Sequence, residues 1–212
     1  MTALGTVYQS LIVIDEFYPD PAQVRAAALS AEYLEVPGPL TYPGRNSAQK
    51  FLPPGLDEVV SRIVGERVVG SPDPRPSHGK FRITLAGEPS RYLVHVDPSM
   101  LSWVGVVYLN PPDQCRGGTS FFRHTGLNSD RTPLSEQELR SYGPASIAEL
   151  LQQDGNDPTK WEHLMTVPMR YNRLIMYRPW LWHSAGEAFG DSLETGRLIQ
   201  LVGFQSAGRP AG

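Results

Sequence analysis

The chain has 212 residues, 40% hydrophobic and 19% charged, a globular balance that excludes a disordered, coiled-coil or collagen-like protein and suits a single domain. With 20 glycines and 20 prolines, close to one position in five breaks helices, which excludes a helical bundle and favours short strands joined by loops. The formal charge of -3 leaves no general basic surface for nucleic acid or anionic lipid, and Cys115, the single cysteine, allows neither an internal disulfide nor a thiolate zinc cage.

In chain order, residues 6–14 read as a strand. The apolar run at 11–14 is far too short for a signal-peptide core, and the longest apolar stretch, 101–109, is too short for a bilayer, so a soluble cytoplasmic protein is expected. Pro21 opens an amphipathic helix to about Tyr33, with Val24, Ala27, Ala28 and Ala31 on one stripe. Loops rich in proline and glycine follow. Leu56, Val59, Val60, Ile63 and Val64 repeat at helical spacing and predict a second helix over 56–69.

From Lys80 onward the period changes to two. Phe81, Ile83 and Leu85 alternate with polar residues, and 91–96 reads as a further extended run. Residues 102–110 are apolar on both faces and suit a central strand. Strands are expected again at 119–122, 171–177 and 197–204. Between them, Ser135 and Glu138 form a capping box, Gly143-Pro144 interrupts, and 147–152 resumes helical spacing. Residues 123–170 thus read as a lid-like or docking insertion in a single domain spanning 1–212. The class expected is mainly β with helical support (α+β), a sandwich or jelly roll with N-terminal helices.

The chemistry starts at His95-Val96-Asp97. Two residues apart on a strand, the imidazole and the carboxylate share a face and are able to grip one ion. Taken alone, the pair reads equally well as a hydrogen-bonded strand residue followed by an Asp-Pro turn. His183 strengthens the first reading, because two histidines and one carboxylate on one face of a metal leave the opposite positions open to substrate and oxygen. Arg197 opens a later strand, and its planar fork matches a carboxylate; a buried structural ion pair is the alternative.

Together His95, Asp97, His183 and Arg197 resemble the active-site set of the iron(II)- and 2-oxoglutarate-dependent dioxygenases. Val106-Val-Tyr-Leu-Asn110 followed by Gly117-Gly-Thr-Ser-Phe-Phe122 resembles the strand and glycine turn of the prolyl-hydroxylase-like branch, and 12–22 is similar to the N-terminus of small bacterial members. The resemblance implies a double-stranded β-helix (jelly roll) in which His95, Asp97 and His183 bind Fe(II). It also implies that Arg197 and Tyr108 hold the distal carboxylate of 2-oxoglutarate and that O2 is the second cosubstrate. For the other end of 2-oxoglutarate, Arg82, Thr84 and Tyr92 are candidates, and Tyr92 is chosen. Family halogenases usually carry a small residue in place of the aspartate, so Asp97 implies hydroxylation of a C–H bond with release of succinate and CO2.

An amino acid, free, peptidyl or carrier-bound, leads as substrate class, followed by a small metabolite. A non-catalytic metal-binding or interaction module and a zinc hydrolase are the alternatives. Of the remaining histidines, His78 is expected to be solvated and His163 to pack or hydrogen-bond; His124 faces either substrate or solvent. Trp180 and Trp182 are expected in the core or cavity wall before any substrate contact.

Overall fold

A computed structural model describes residues 8–34, 43–73, 77–133 and 135–208. The start of the first expected strand lies outside them; within them β1 covers Leu11–Ile14. Helix α1 (Pro21–Leu29) is capped by Asp20, whose carboxylate accepts the Gln23 amide at 3.0 Å. It ends before Tyr33 because the Ser30 hydroxyl turns back onto the Ala26 carbonyl and the chain leaves to bridge Tyr33 with Ser47. Strand β2 (Arg45–Lys50) follows, then α2 (Leu56–Val64). Gly65 stops α2 at φ +68°, so Val68 and Val69, expected in the helix, start β3 (Val68–Gly70) instead.

The remaining elements are β4 (Lys80–Thr84), β5 (Trp103–Tyr108), β6 (Gly118–His124), α3 (Glu136–Tyr142), α4 (Ile147–Asp154), β7 (Trp161–Pro168), β8 (Leu174–Tyr177), β9 (His183–Ser184) and β10 (Arg197–Ser206). They form two antiparallel sheets. The larger runs β1-β8-β5-β10-β4-β2 with β3 also on β10, and the smaller runs β7-β6-β9. Residues 91–96, expected as a strand, form only an isolated bridge at His95. Among the described residues no helix is long and apolar enough to cross a membrane.

The period-two pattern sorts the core into layers. On β5, β8 and β10, Trp103, Val107, Leu174, Met176, Leu198, Val202 and Phe204 face outward onto Val24 and Ala28 of α1 and Val60 and Val64 of α2. Their alternates, Val104, Val106, Tyr108, Ile175, Tyr177 and Ile199, face inward and meet Phe121 and Val167 of the small sheet. Arg197 shares the parity of Ile199, which pairs with Tyr108, so the guanidinium is committed to the space between the sheets.

The segment expected as a lid is placed differently. Residues 161–168 are a strand of the small sheet, paired along β6, and α3 and α4 pack on that sheet's outer face around Leu139, Leu150, Leu151, Trp161 and Trp182. Leu150 is completely buried there. Leu150→Ala is therefore expected to cost about 2–5 kcal/mol of stability, read from thermal and denaturant melting, and a variant as stable as the wild type would mean that this helical cover contributes little to the fold.

Candidate active site

His95 and His183 are locked side by side by reciprocal backbone hydrogen bonds, His95 N to His183 O at 2.9 Å and His183 N to His95 O at 3.0 Å. The Asp97 amide bonds the Pro179 carbonyl at 2.9 Å, so both segments are fixed by main chain independently of their side chains. The two imidazoles lie 4.4 Å apart between centroids, and His183 Nε2 is 3.2 Å from Asp97 Oδ2. A residue the sequence reading passed over joins them: the Tyr177 hydroxyl is 3.2 Å from Asp97 Oδ2 and 3.2 Å from His183 Nε2. Its only signal in sequence is parity on the strand that precedes His183.

These side chains line a cavity of about 130 Å³ between the sheets, together with Arg82, Thr119 and Arg197. Gly117 and Gly118 place Thr119 on that wall. Gly117 turns at φ +59°, and a Cβ on Gly118 would stand 2.0 Å from the Val167 carbonyl oxygen, so only glycine lets β6 approach β7 this closely. Tyr108 stands behind the wall, its hydroxyl 2.8 Å from Thr119 Oγ1 and its ring 5.7 Å from the Arg197 guanidinium carbon. Arg197 is 2% exposed and its Nε has no hydrogen-bond partner. Only Tyr108 and Tyr177, and no carboxylate of the described residues, offset the desolvation that lowers its pKa.

Tyr92 is a correction. It packs outside the small sheet with Val94, Leu150 and Leu151, beneath the Arg91 guanidinium, and lines no part of the cavity. Of the candidates grouped with it, Thr84 is buried with its hydroxyl on the Pro43 carbonyl, and Arg82 alone reaches the cavity, its Nε held by Asn46 Oδ1 at 2.8 Å. Trp182 is a fully buried core residue, and Trp180 stacks on Tyr8 with ring centroids 6.3 Å apart.

His78, expected in solvent, is 4% exposed and accepts the Gly203 amide on Nδ1. His124 faces neither substrate nor solvent: it is buried behind β6 with Nε2 3.0 Å from Asp154 Oδ2 and Nδ1 accepting the Leu127 amide. His163 meets the Thr166 hydroxyl and the Phe122 ring. Burial lowers the pKa of both His78 and His124, the latter despite Asp154. A histidine kept neutral by the fold protonates more readily when unfolded, so stability is expected to fall as pH drops below about 6.5. Melting temperatures across this range check it, and His78→Gln should flatten the slope.

The protonation states around Asp97 suit a metal. Burial, followed by the neighbouring His183, holds His95 well below the usual histidine range, as a neutral imidazole. Burial opposes ionisation of Asp97, yet His183, His95 and the Tyr177 hydrogen bond outweigh it and keep the carboxylate ionised. His183 Nδ1 donates to the Leu181 carbonyl at 2.9 Å, which fixes the ring with Nε2 3.2 Å from Asp97 Oδ2, a spacing that one cation would bridge. Among the described residues no group of three His, Cys, Asp or Glu side chains stands arranged as a metal cage.

Solved structures share this architecture. HygX from Streptomyces hygroscopicus, crystallised with nickel, 2-oxoglutarate and hygromycin B, superposes with a TM-score of 0.53 at 13% identity, covering 93% of this chain and 83% of that one. SnoK, a non-heme alpha-ketoglutarate-dependent carbocyclase from nogalamycin biosynthesis, gives 0.53 at 16% identity over 94% and 80%. At such identities the likeness establishes the fold, a β-dominated jelly roll with a few helices. No curated protein sequence matches the chain. The chain belongs to a family of unknown function, DUF6445, whose model matches residues 1–200.

Proposed function

We propose that the protein is an Fe(II)- and 2-oxoglutarate-dependent oxygenase that hydroxylates a C–H bond of an amino acid, a peptide or a small metabolite. The observation that carries this reading is Arg197, a buried guanidinium with no carboxylate partner among the described residues, in the same cavity as His95, Asp97 and His183. A buried cation of this kind is costly until an anion joins it, and a dicarboxylate with one end at the histidines has its other end to give. A zinc hydrolase would leave Arg197 without a purpose. The prolyl-hydroxylase-like branch rests on the strand and glycine turn that carry Tyr108 and Thr119.

His95, Asp97 and His183 would hold the iron. When bound, ferrous iron supplies chelation of 2-oxoglutarate and activation of O2, with succinate and CO2 released as the substrate is oxidised. Arg197 binds the far carboxylate, and Tyr108 orients the Thr119 hydroxyl beside it while its ring lies near the guanidinium. Val104, Val106, Ile199 and Leu201 line the cavity with apolar surface, which keeps the local dielectric low and strengthens that ion pair. The main-chain locks on His95, Asp97 and His183 keep the donors in place without help from a ligand.

Succinate formation from 2-oxoglutarate in the presence of Fe(II), with a panel of amino acids, peptides and small metabolites screened for products one oxygen atom heavier, tests the reading. Iron-dependent succinate is expected, with one panel class raising the rate. Failure of the protein to bind 2-oxoglutarate in its metal-loaded state would overturn it.

A further inference from the structure

Tyr177 has no role in the proposed reaction as a ligand of the metal or of 2-oxoglutarate. It ends β8 on the inward face, 4% exposed, with its ring against the edge of Phe121 at 5.4 Å and against His183 at 4.8 Å. Its hydroxyl oxygen, Asp97 Oδ2 and His183 Nε2 stand 3.2 Å from one another in every pairing, an equilateral triangle of polar atoms. The phenol donates to Asp97 Oδ2, and on its other side the His183 ring is fixed by Nδ1 against the Leu181 carbonyl.

We propose that Tyr177 is a positioning residue for the metal: its hydroxyl donates to Asp97 Oδ2 and so holds the carboxylate beside His183 Nε2, in register for one divalent cation. This rests on the assignment of His95, Asp97 and His183 as ligands. A tyrosine rather than a phenylalanine is needed there, because packing against Phe121 and the small sheet uses only the ring. Hydrogen-bond partners of this kind orient a ligand before the ion arrives, and losing one typically weakens metal binding about 10–100-fold.

The test titrates Co(II) into the wild-type protein, Tyr177→Phe and Phe121→Leu, following affinity by calorimetry and the visible cobalt spectrum, with melting curves recorded on the metal-free proteins. Tyr177→Phe is expected to weaken Co(II) binding about 10–100-fold and to change the spectrum. Phe121→Leu, which loosens the packing and spares the hydroxyl, is expected to lower the melting temperature and keep the cobalt affinity. Equal Co(II) affinity and spectrum in Tyr177→Phe would overturn the proposal, as would an equal loss in Phe121→Leu. A wild-type protein that binds no Co(II) would instead overturn the ligand assignment itself. Cobalt bound without any response to 2-oxoglutarate would overturn the oxygenase reading, while the two titrations still decide the role of Tyr177.

Discussion

His183→Ala is expected to abolish iron-dependent turnover, and His95→Ala and Asp97→Ala are expected to do the same, because under the proposed assignment each removes one of three protein ligands. The loss should exceed the roughly 10–100-fold typical of an outer-sphere partner. The fold should survive. The hydrogen bonds that join His95 to His183 and Asp97 to Pro179 are all main-chain, and alanine keeps them. Iron content after anaerobic loading, succinate production and thermal melting, measured on the same preparations, separate loss of metal from loss of structure. Wild-type iron content and turnover in all three variants would remove the triad from consideration.

Arg197 separates binding from stability. Lysine keeps the charge but loses the bidentate fork, and a charge-assisted hydrogen bond is worth about 1.5–3 kcal/mol, so Arg197→Lys should weaken 2-oxoglutarate binding by about 10–100-fold with metal affinity little changed. Arg197→Met should do something less usual. The native guanidinium is 2% exposed with an unbonded Nε, so a methionine of similar length relieves a desolvation penalty of about 1–3 kcal/mol and raises the melting temperature of the cosubstrate-free protein. Addition of 2-oxoglutarate at a hundred times its Kd should then stabilise the wild type by about 2.7 kcal/mol and the variant not at all. The order of the two melting temperatures would draw together or reverse. Parallel shifts in both proteins would mean that the cosubstrate is held elsewhere.

The parts of the site that could be read from sequence are those written in short periods. Strand parity places Arg197 and Tyr108 toward one interior, and the spacing of His95 and Asp97 survives although their segment is a bridged loop rather than a strand. What escaped was decided by partners distant in the chain. β2 reads Arg-Asn-Ser-Ala-Gln-Lys and carries no apolar alternation; it is held by pairing with β4 and by the buried Ser47 hydroxyl, which accepts the Phe81 amide. β7 alternates poorly because only Trp161 and Val167 on it are buried, and so it passed as part of an insertion. His78 sits between Pro, Ser and Gly in a context that suggests solvent, yet Gly70 leaves room for its ring against Phe204, and the Gly203 amide bonds its Nδ1. Tyr92 lies close to His95 in sequence, but the chain between them crosses from the outer face of the small sheet to the cavity.

The order of strands in the larger sheet has a consequence for synthesis. β10, the last strand among the described residues, lies inside the sheet and pairs with β5 along one side and with β4 and β3 along the other. β1 likewise waits for β8, since Leu11 pairs with Tyr177. Until β10 has left the ribosome, β5 and β4 each have an open edge, a state that invites association with other chains and the attention of chaperones. Pairings this distant in sequence also make folding slow. The strand that closes the sheet is the one that begins with Arg197, so the cavity between the sheets gains its buried guanidinium only when this late strand docks against β5.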